Sequence, residues 1–330
     1  MVRGKAVVLN GFFIFAHNKR MRTILHSDLN NFYASVECLR NPEIRNLPVV
    51  VVGSKEDRHG IVLAKNMIAK KLGVKTGDVY WEAKQKCGEA LVEVQADFST
   101  YINVSREVRK IYEDYADRIE AYGIDECWLD VSSSLKLFGS GREIAETIRE
   151  RIKKEIGLTV SIGVSWNKIF AKLGSDMKKP DAVTVITPEN YKLKVWTLPV
   201  EDLLYVGKAT QQKLNRIGIK TIGDLSQAEE QTLLNLLGKW GYYLHTFANG
   251  KDESPVTKIG EEESIKSIGN SLTVYRDLVD DNDVEPVIYL LADSISSRMR
   301  EAGLNKARTV HVNARANNLV GYQKQGKLMR

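Results

Sequence analysis

Apolar and polar positions alternate between strand and helix periods over most of the first 190 residues. From Met21, Thr23–Leu29 is a short apolar run of strand character, and Phe32–Leu39 begins a helix. The segments 48–53 (PVVVVG) and Ile61–Ala64 are β-branched and apolar, which favours strands. Asn66–Leu72 and Trp81–Lys86 have helical spacing. Phe98, Tyr101, Ser105, Val108, Ile111, Tyr112 and Tyr115 share one face of a long helix, with charges between them. Arg118–Ile124 and Cys127–Val131 are strands that meet at Asp125-Glu126. Ile144, Ile148, Ile152 and Ile156 recur every four residues and predict an amphipathic helix. A strand (Thr159–Val164), a helix (Asn167–Met177) and a strand (Ala182–Ile186) follow. With an insertion at 34–90 set aside, the order is β-α-β-β-α-β, a split βαβ layout of the α+β class.

The pattern changes after Pro188. Residues 188–250 have almost no strand signal and predict short helices punctuated by Gly207, Gly218, Gly223, Gly238 and Gly241. Residues 251–265 are polar, charged and interrupted by Pro and Gly, the composition of a linker. From Lys266 an α/β pattern resumes: a strand at Ser267–Val274, a helix at Val284–Ala302, and strands at Thr309–Ala314 and about Val320–Lys324.

Composition narrows the class. A chain of 330 residues exceeds one ordinary core, so two to four domains are expected. Hydrophobic residues at 43% and charged residues at 27% describe a globular protein. The net charge of +6 is compatible with a polyanionic partner or with an ordinary basic enzyme. Its distribution says more: from Arg298 to Arg330 eight basic residues face a single acid, Glu301, as on a phosphate-facing surface. Cys38, Cys87 and Cys127 form no CxxC pair, so a reducing, cytoplasmic setting is the default. The five histidines lack metal-ligand spacing, and no run has the length of a membrane span. Residues 1–20 hold an apolar stretch, Ala6–Ala16, broken by Asn10 and Gly11. They are expected to be an extension, appended or from an upstream start, with Met21 as the natural first residue.

Three carboxylates carry the candidate chemistry. Asp28 ends the first strand, and Asp125 and Glu126 occupy the turn between two central strands. A βαββαβ sheet sets the first strand beside that hairpin, so the three should meet at one sheet edge. Carboxylates gathered this way repel and have raised pKa values without a counter-charge. Mg²⁺ supplies that charge and prefers oxygen ligands, the Leu29 carbonyl being a further candidate. Two such ions about 3.5–4 Å apart can hold an attacking 3′-oxygen and a leaving pyrophosphate. Taken singly, an acid at a strand end is more often a turn or cap residue.

HSDLNNFYASVE (26–37), GIDECWLD (123–130) and SIGVSWNKIFAKLGSDMKKP (161–180) resemble the Y-family DNA polymerases, nearest the bacterial DNA polymerase IV (DinB) branch. The likeness runs from Met21 to about Leu328 and includes LLYVG, LLGKWG and KSIGNS. It implies a right hand: palm (21–33 and 91–187), small fingers (34–90), a helical thumb with helix-hairpin-helix units (188–250), a linker (251–265) and an α/β little finger (266–330). It places the metal carboxylates on Asp28, Asp125 and Glu126 and the steric gate against a 2′-hydroxyl on Tyr33. Phe32 is assigned to the nucleotide site or, alternatively, to the core. The triphosphate grip of the fingers falls on Asn66-Met67-Ile68-Ala69-Lys70, where Lys70 keeps the cation and Met67 replaces a tyrosine hydroxyl. Lys179 matches a palm lysine on the triphosphate.

In the thumb, Gly207-Lys208 and Gly238-Lys239 resemble hairpins that aim backbone N–H groups at DNA phosphates. The alternative is an ordinary helical turn closed by glycine. Arg308 and Arg315 are the candidate DNA contacts of the little finger. That domain reaches only about its third strand, so it is expected to be C-terminally truncated, with an exposed edge and no sliding-clamp peptide. The resemblance implies error-prone, lesion-bypass synthesis by a monomer on primer-template DNA and dNTP, with two Mg²⁺ (or Mn²⁺ as substitute). Rival readings are a nucleotidyl cyclase on the same palm and a DNA-binding protein unable to extend a primer.

Overall fold

The structure is a computed structural model that describes residues 8–9, 12–13, 21–53, 60–261 and 264–328. The extension expected at 1–20 lies outside them, apart from the backbone of two short paired strands, β1 (Val8–Leu9) and β2 (Phe12–Phe13). Arg330 of the basic C-terminal run also lies outside. The chain divides into two compact units, one of residues 1–42 with 97–262, the other of 43–96 with 263–330.

The first unit begins with β3 (Ile24–Leu29), buried at every position, and α1 (Phe32–Arg40). The chain then enters the second unit. There β4 (Val49–Val52) pairs antiparallel with β5 (Val62–Lys65) and parallel with β6 (Val92–Gln95). Helices α2 (Met67–Lys71) and α3 (Tyr80–Cys87) connect them. Val50, Val52, Val62, Ala69, Val74, Ala83 and Leu91 form this sheet's own core. The insertion expected at 34–90 thus takes compact form at 43–96. Its third strand, β6, has too short an alternation to stand out in the sequence and is defined by pairing with β4.

Back in the first unit, α4 (Phe98–Glu113) is capped by Asp97, whose carboxylate accepts from the Thr100 N–H at 3.1 Å. Strands β7 (Arg118–Ala121) and β8 (Glu126–Asp130) form a hairpin; α5 (Leu135–Phe138) and α6 (Gly141–Arg151) lead to β9 (Val160–Ser165), α7 (Lys168–Met177) and β10 (Val183–Val185). The sheet order is β10-β9-β3-β8-β7, so β3 lies beside β8 as the βαββαβ layout requires, and β10 adds a fifth, parallel edge strand. The isoleucines spaced by four extend past α6 into a π-helical turn at Ile152–Ile156. A spacing of four exceeds the 3.6 residues of an α-turn, and the wider turn keeps Ile152 buried on the same stripe. Ile24, Leu25, Leu129 and Ile162 are fully buried across the sheet, each contributing about 1.5–3 kcal/mol by transfer from water.

Five helices follow: α8 (Tyr191–Val195), α9 (Lys208–Arg216), α10 (Ile222–Gln227), α11 (Glu230–Leu237) and α12 (Lys239–Ala248). Val195, Leu214, Ile222, Leu225, Leu233 and Leu244 pack with Ile169, Phe170 and Leu173 of α7, so this helical part shares a core with the five-stranded sheet's helix. Gly218, at φ 86°, makes the turn between α9 and α10, and Gly238, at φ 64°, the turn between α11 and α12. Glycine holds both without strain.

The segment expected to be a linker is docked on the edge of the first unit. Arg22 donates to the carbonyls of Asp252 (3.1 Å) and Ser254 (2.6 Å), and Arg118 to that of Val256 (3.2 Å). The Ile259 N–H donates to Asp117 O, and Lys258 bridges Arg118 in antiparallel fashion. Val256, fully buried, packs with Ile24, Trp128 and Ala171. Polar composition concealed this because the strap is held mainly through its backbone and one valine.

In the second unit, α13 (Asp281–Glu301) and the hairpin of β11 (Thr309–Arg315) and β12 (Gly321–Lys327) match the expected helix and strands. The strand expected at Ser267–Val274 does not form. Its alternation has no ladder partner among the described residues, and a strand exists only through its partner's hydrogen bonds. No side chain described from 264 to 328 is buried.

Candidate active site

Asp28 sits on β3 directly opposite Glu126 on β8. The Leu29 N–H donates to the Asp125 carbonyl at 3.0 Å, locking the hairpin turn against the end of β3. Sheet register therefore brings Asp28, Asp125 and Glu126 together at one edge. On the other side of β3, α7 lies close against β9 because Gly163 and Gly174 meet without side chains. Asn167 caps this helix, accepting from the Phe170 N–H at 2.8 Å.

Helix α7 carries a cation that no sequence motif singles out. The Lys172 ammonium lies 2.9 Å from Glu126 Oε2, 3.3 Å from Asp28 Oδ2 and 3.1 Å from Asp176 Oδ2. Lys179, just beyond the helix, lies 2.7 Å from both Asp28 Oδ2 and Asp176 Oδ1. The Lys172/Asp176 spacing of four was the available signal. His26, buried beneath the sheet edge, has Nδ1 2.9 Å from Ser175 Oγ and Nε2 3.3 Å from Glu126 Oε2. Burial holds its pKa below the ordinary value despite the neighbouring carboxylates.

The three acids differ electrostatically. Burial pushes the Asp125 carboxyl up, and the charges of Glu126 and Asp28 push it further. Burial acts on Glu126 in the same direction, but His26 and Lys172 outweigh it and bring that group down to about 2. Glu126 Oε2 is buried without a well-directed hydrogen bond. Among the described residues no three acid, histidine or cysteine side chains already form a metal-ligand cluster. The donor chemistry nonetheless suits a hard divalent cation: the three acids offer carboxylate oxygens, and the Lys172 charge only partly offsets what raises Asp125.

Tyr33, on the first turn of α1, stacks on Tyr101 of α4 at 4.5 Å and 8°, with Phe98 edge-on at 5.8 Å. The Tyr101 hydroxyl donates to Glu37 Oε1 at 2.7 Å, which fixes the stack. Burial raises the Tyr33 pKa, and the Asp125 charge adds to it. Phe32, only 3% exposed, takes the core alternative and backs the same stack. Phe98 and Tyr101, expected only as an apolar helix face, are the support of Tyr33.

The other candidates are placed as follows. Lys70 is exposed in the last turn of α2, in the second unit; Asn66 caps that helix by accepting from the Ala69 N–H at 3.0 Å. Gly207 precedes α9 with Lys208 as its first residue, and Gly238-Lys239 open α12. Arg308 and Arg315 are exposed, before and at the end of β11.

Comparison with known proteins identifies the family. Residues 27–176 match the impB/mucB/samB family, residues 265–330 its C-terminal domain, and residues 201–252 the thumb domain described for DNA polymerase-iota. A DNA polymerase IV of Acetivibrio thermocellus is 59% identical over 93% of this chain and 76% of its own length. DNA polymerase IV 2 of Bacillus subtilis is 38% identical over 93% and 76%. Among solved structures, a Y-family polymerase chimera of Dbh and Dpo4 is similar at TM-score 0.84 and 27% identity, covering 93% of this chain and 88% of that one. An insertion ternary complex of Dbh DNA polymerase is similar at TM-score 0.70 and 27% identity, covering 92% and 87%. With that level of identity across palm, thumb and C-terminal region, the chain belongs to the Y-family of DNA polymerases, in its DNA polymerase IV branch, and is a template-directed polymerase of the lesion-bypass kind.

Proposed function

We propose that this polymerase adds dNTPs to a primer 3′-end at the Asp28–Asp125–Glu126 edge, with two Mg²⁺ ions held by these carboxylates and the Leu29 carbonyl. Polymerases of this family use divalent metal ions. Bound there, they supply Lewis-acid stabilisation to the attacking 3′-oxygen and the departing pyrophosphate, and Mn²⁺ can substitute. The observation that carries the reading is the β3/β8 register, which pairs Asp28 with Glu126, together with the Leu29-to-Asp125 backbone bond.

The remaining residues divide the substrate between them. Tyr33, stiffened by Tyr101 and Phe98, lies under the sugar and excludes a 2′-hydroxyl. Lys179 receives the triphosphate. Gly207-Lys208 and Gly238-Lys239 present helix-end N–H groups to the DNA backbone, and Arg308 and Arg315 add charge. Primer extension on a recessed template with Mg²⁺ and dNTPs tests this, comparing wild type with Asp125→Ala/Glu126→Ala. Metal-dependent, template-directed extension lost in the variant is expected. DNA retention with no extension by wild type would overturn it in favour of a binding protein.

A further inference from the structure

Lys179 stands in the short link between α7 and β10, and the position of its ammonium depends on where that link is tied. Two residues on, Asp181 has φ 54°, a region that a non-glycine residue keeps only when its neighbours impose it. Those neighbours are explicit. The Asp181 N–H donates to Asn30 Oδ1 at 2.8 Å, and its carboxylate accepts from Arg149 at 2.7 Å and Lys153 at 2.8 Å. Asn30 is itself immobilised: it is 5% exposed, its Nδ2 donates to the Ser161 hydroxyl at 2.9 Å, and its backbone N–H donates to Thr159 O. Ser161 is wholly buried in β9 and lies opposite Asp28 in the sheet.

One buried carboxamide thus uses both ends, joining the segment just after Asp28-Leu29 to β9 and to the Lys179 link. The geometry points to Asn30 as a positioning residue for Lys179, holding that ammonium on the triphosphate side of the carboxylates. This rests on the reading of Lys179 as a triphosphate ligand. The salt bridges of Asp181, part-buried to Arg149 and exposed to Lys153, cannot replace the clamp, because they hold its side chain while Asn30 holds its backbone. An acceptor at position 30 is the essential part: a carboxylate there would still receive the Asp181 N–H and could take the Ser161 hydroxyl as donor.

Steady-state dNTP incorporation by the full chain tests the inference, using Asn30→Ala, Asn30→Asp, Lys179→Met and the Asn30→Ala/Lys179→Met pair, with thermal melts of each. Asn30→Ala is expected to raise KM for dNTP roughly tenfold and to lower kcat less than about threefold. Asn30→Asp is expected to return KM to within about twofold of wild type. In the Lys179→Met background, Asn30→Ala should add nothing, since the two act through one contact. Should Asn30→Ala fail to fold, Ser161→Ala carries the same signature at roughly threefold. An unchanged KM in Asn30→Ala, or an equal rise with and without Lys179, would overturn the positioning role. An unchanged KM in Lys179→Met would instead overturn the triphosphate assignment itself.

Discussion

Substituting Gly163 by alanine tests how closely the active-site edge depends on one backbone contact. A Cβ on Gly163 would lie 2.5 Å from the Ser175 nitrogen and 2.9 Å from the Gly174 carbonyl carbon, and inside contact with the Ala171 oxygen. All three are backbone atoms of α7 and cannot rotate aside. Restoring ordinary contact requires the helix to move by about 1 Å or more. That motion carries Lys172, whose ammonium sits 2.9 Å from Glu126 and 3.3 Å from Asp28, toward separations of about 4 Å. It also loosens the buried contacts of Ile169, Phe170 and Leu173. Overpacking costs about 1–3 kcal/mol where side chains can yield, so roughly 3 kcal/mol is expected here. At about 2–4 °C per kcal/mol, Tm should fall by about 6–12 °C. Primer extension measured well below the variant's Tm should slow at least about tenfold. Gly53→Ala is the control, because nothing among the described residues lies within 4 Å of its Cβ, and it should stay within about 0.5 kcal/mol of wild type. Gly163→Ala melting and extending like Gly53→Ala would refute the argument.

Three further outcomes are expected. Tyr33→Ala should reduce discrimination against ribonucleotides by at least about tenfold in competitive insertion assays; unchanged selectivity would remove Tyr33 from the gate. In EDTA, Asp125→Asn should be more stable than wild type at neutral pH by about 0.5–2 kcal/mol. The sign follows from the raised Asp125 pKa: its contribution to stability is present below the ordinary carboxylate value of 3.8 and is lost as pH rises through the folded value, where ionisation meets Glu126 and Asp28. The gain should shrink at low pH and on adding Mg²⁺, and an equal melt at all pH values would count against it. Val256→Ala removes two methyl groups from a fully buried site, about 2 kcal/mol. Proteolysis within 252–259 should accelerate while the sheet stays folded, and unchanged cleavage would mean the strap is held by its hydrogen bonds alone.

Much of the site is legible in the residues alone. The acids at the ends of apolar runs, the aromatic pair at 32–33 and the lysine before Pro180 stand in long, specific segments. Partners distant in sequence are not legible that way. Lys172 looks like one more charge on an amphipathic helix until α7 is laid on β9. Phe98 and Tyr101 look like core until Tyr33 stacks on them. The strap at 252–259 looks like a linker because its docking bonds are mostly backbone bonds, which leave no trace in residue type. The expected strand at 267–274 shows the converse: alternation is present, and no partner strand is, among the described residues.

The βαββαβ order, the helical part after it and the three candidate acids are legible in the chain's residues, because local periodicity and residue chemistry act over a few positions. Which groups share a charge, which side chains stiffen a ring and which segment is tied down follow from the folded arrangement alone. Those depend on register and on the closest approach of backbones, as where Gly163 meets the backbone of α7.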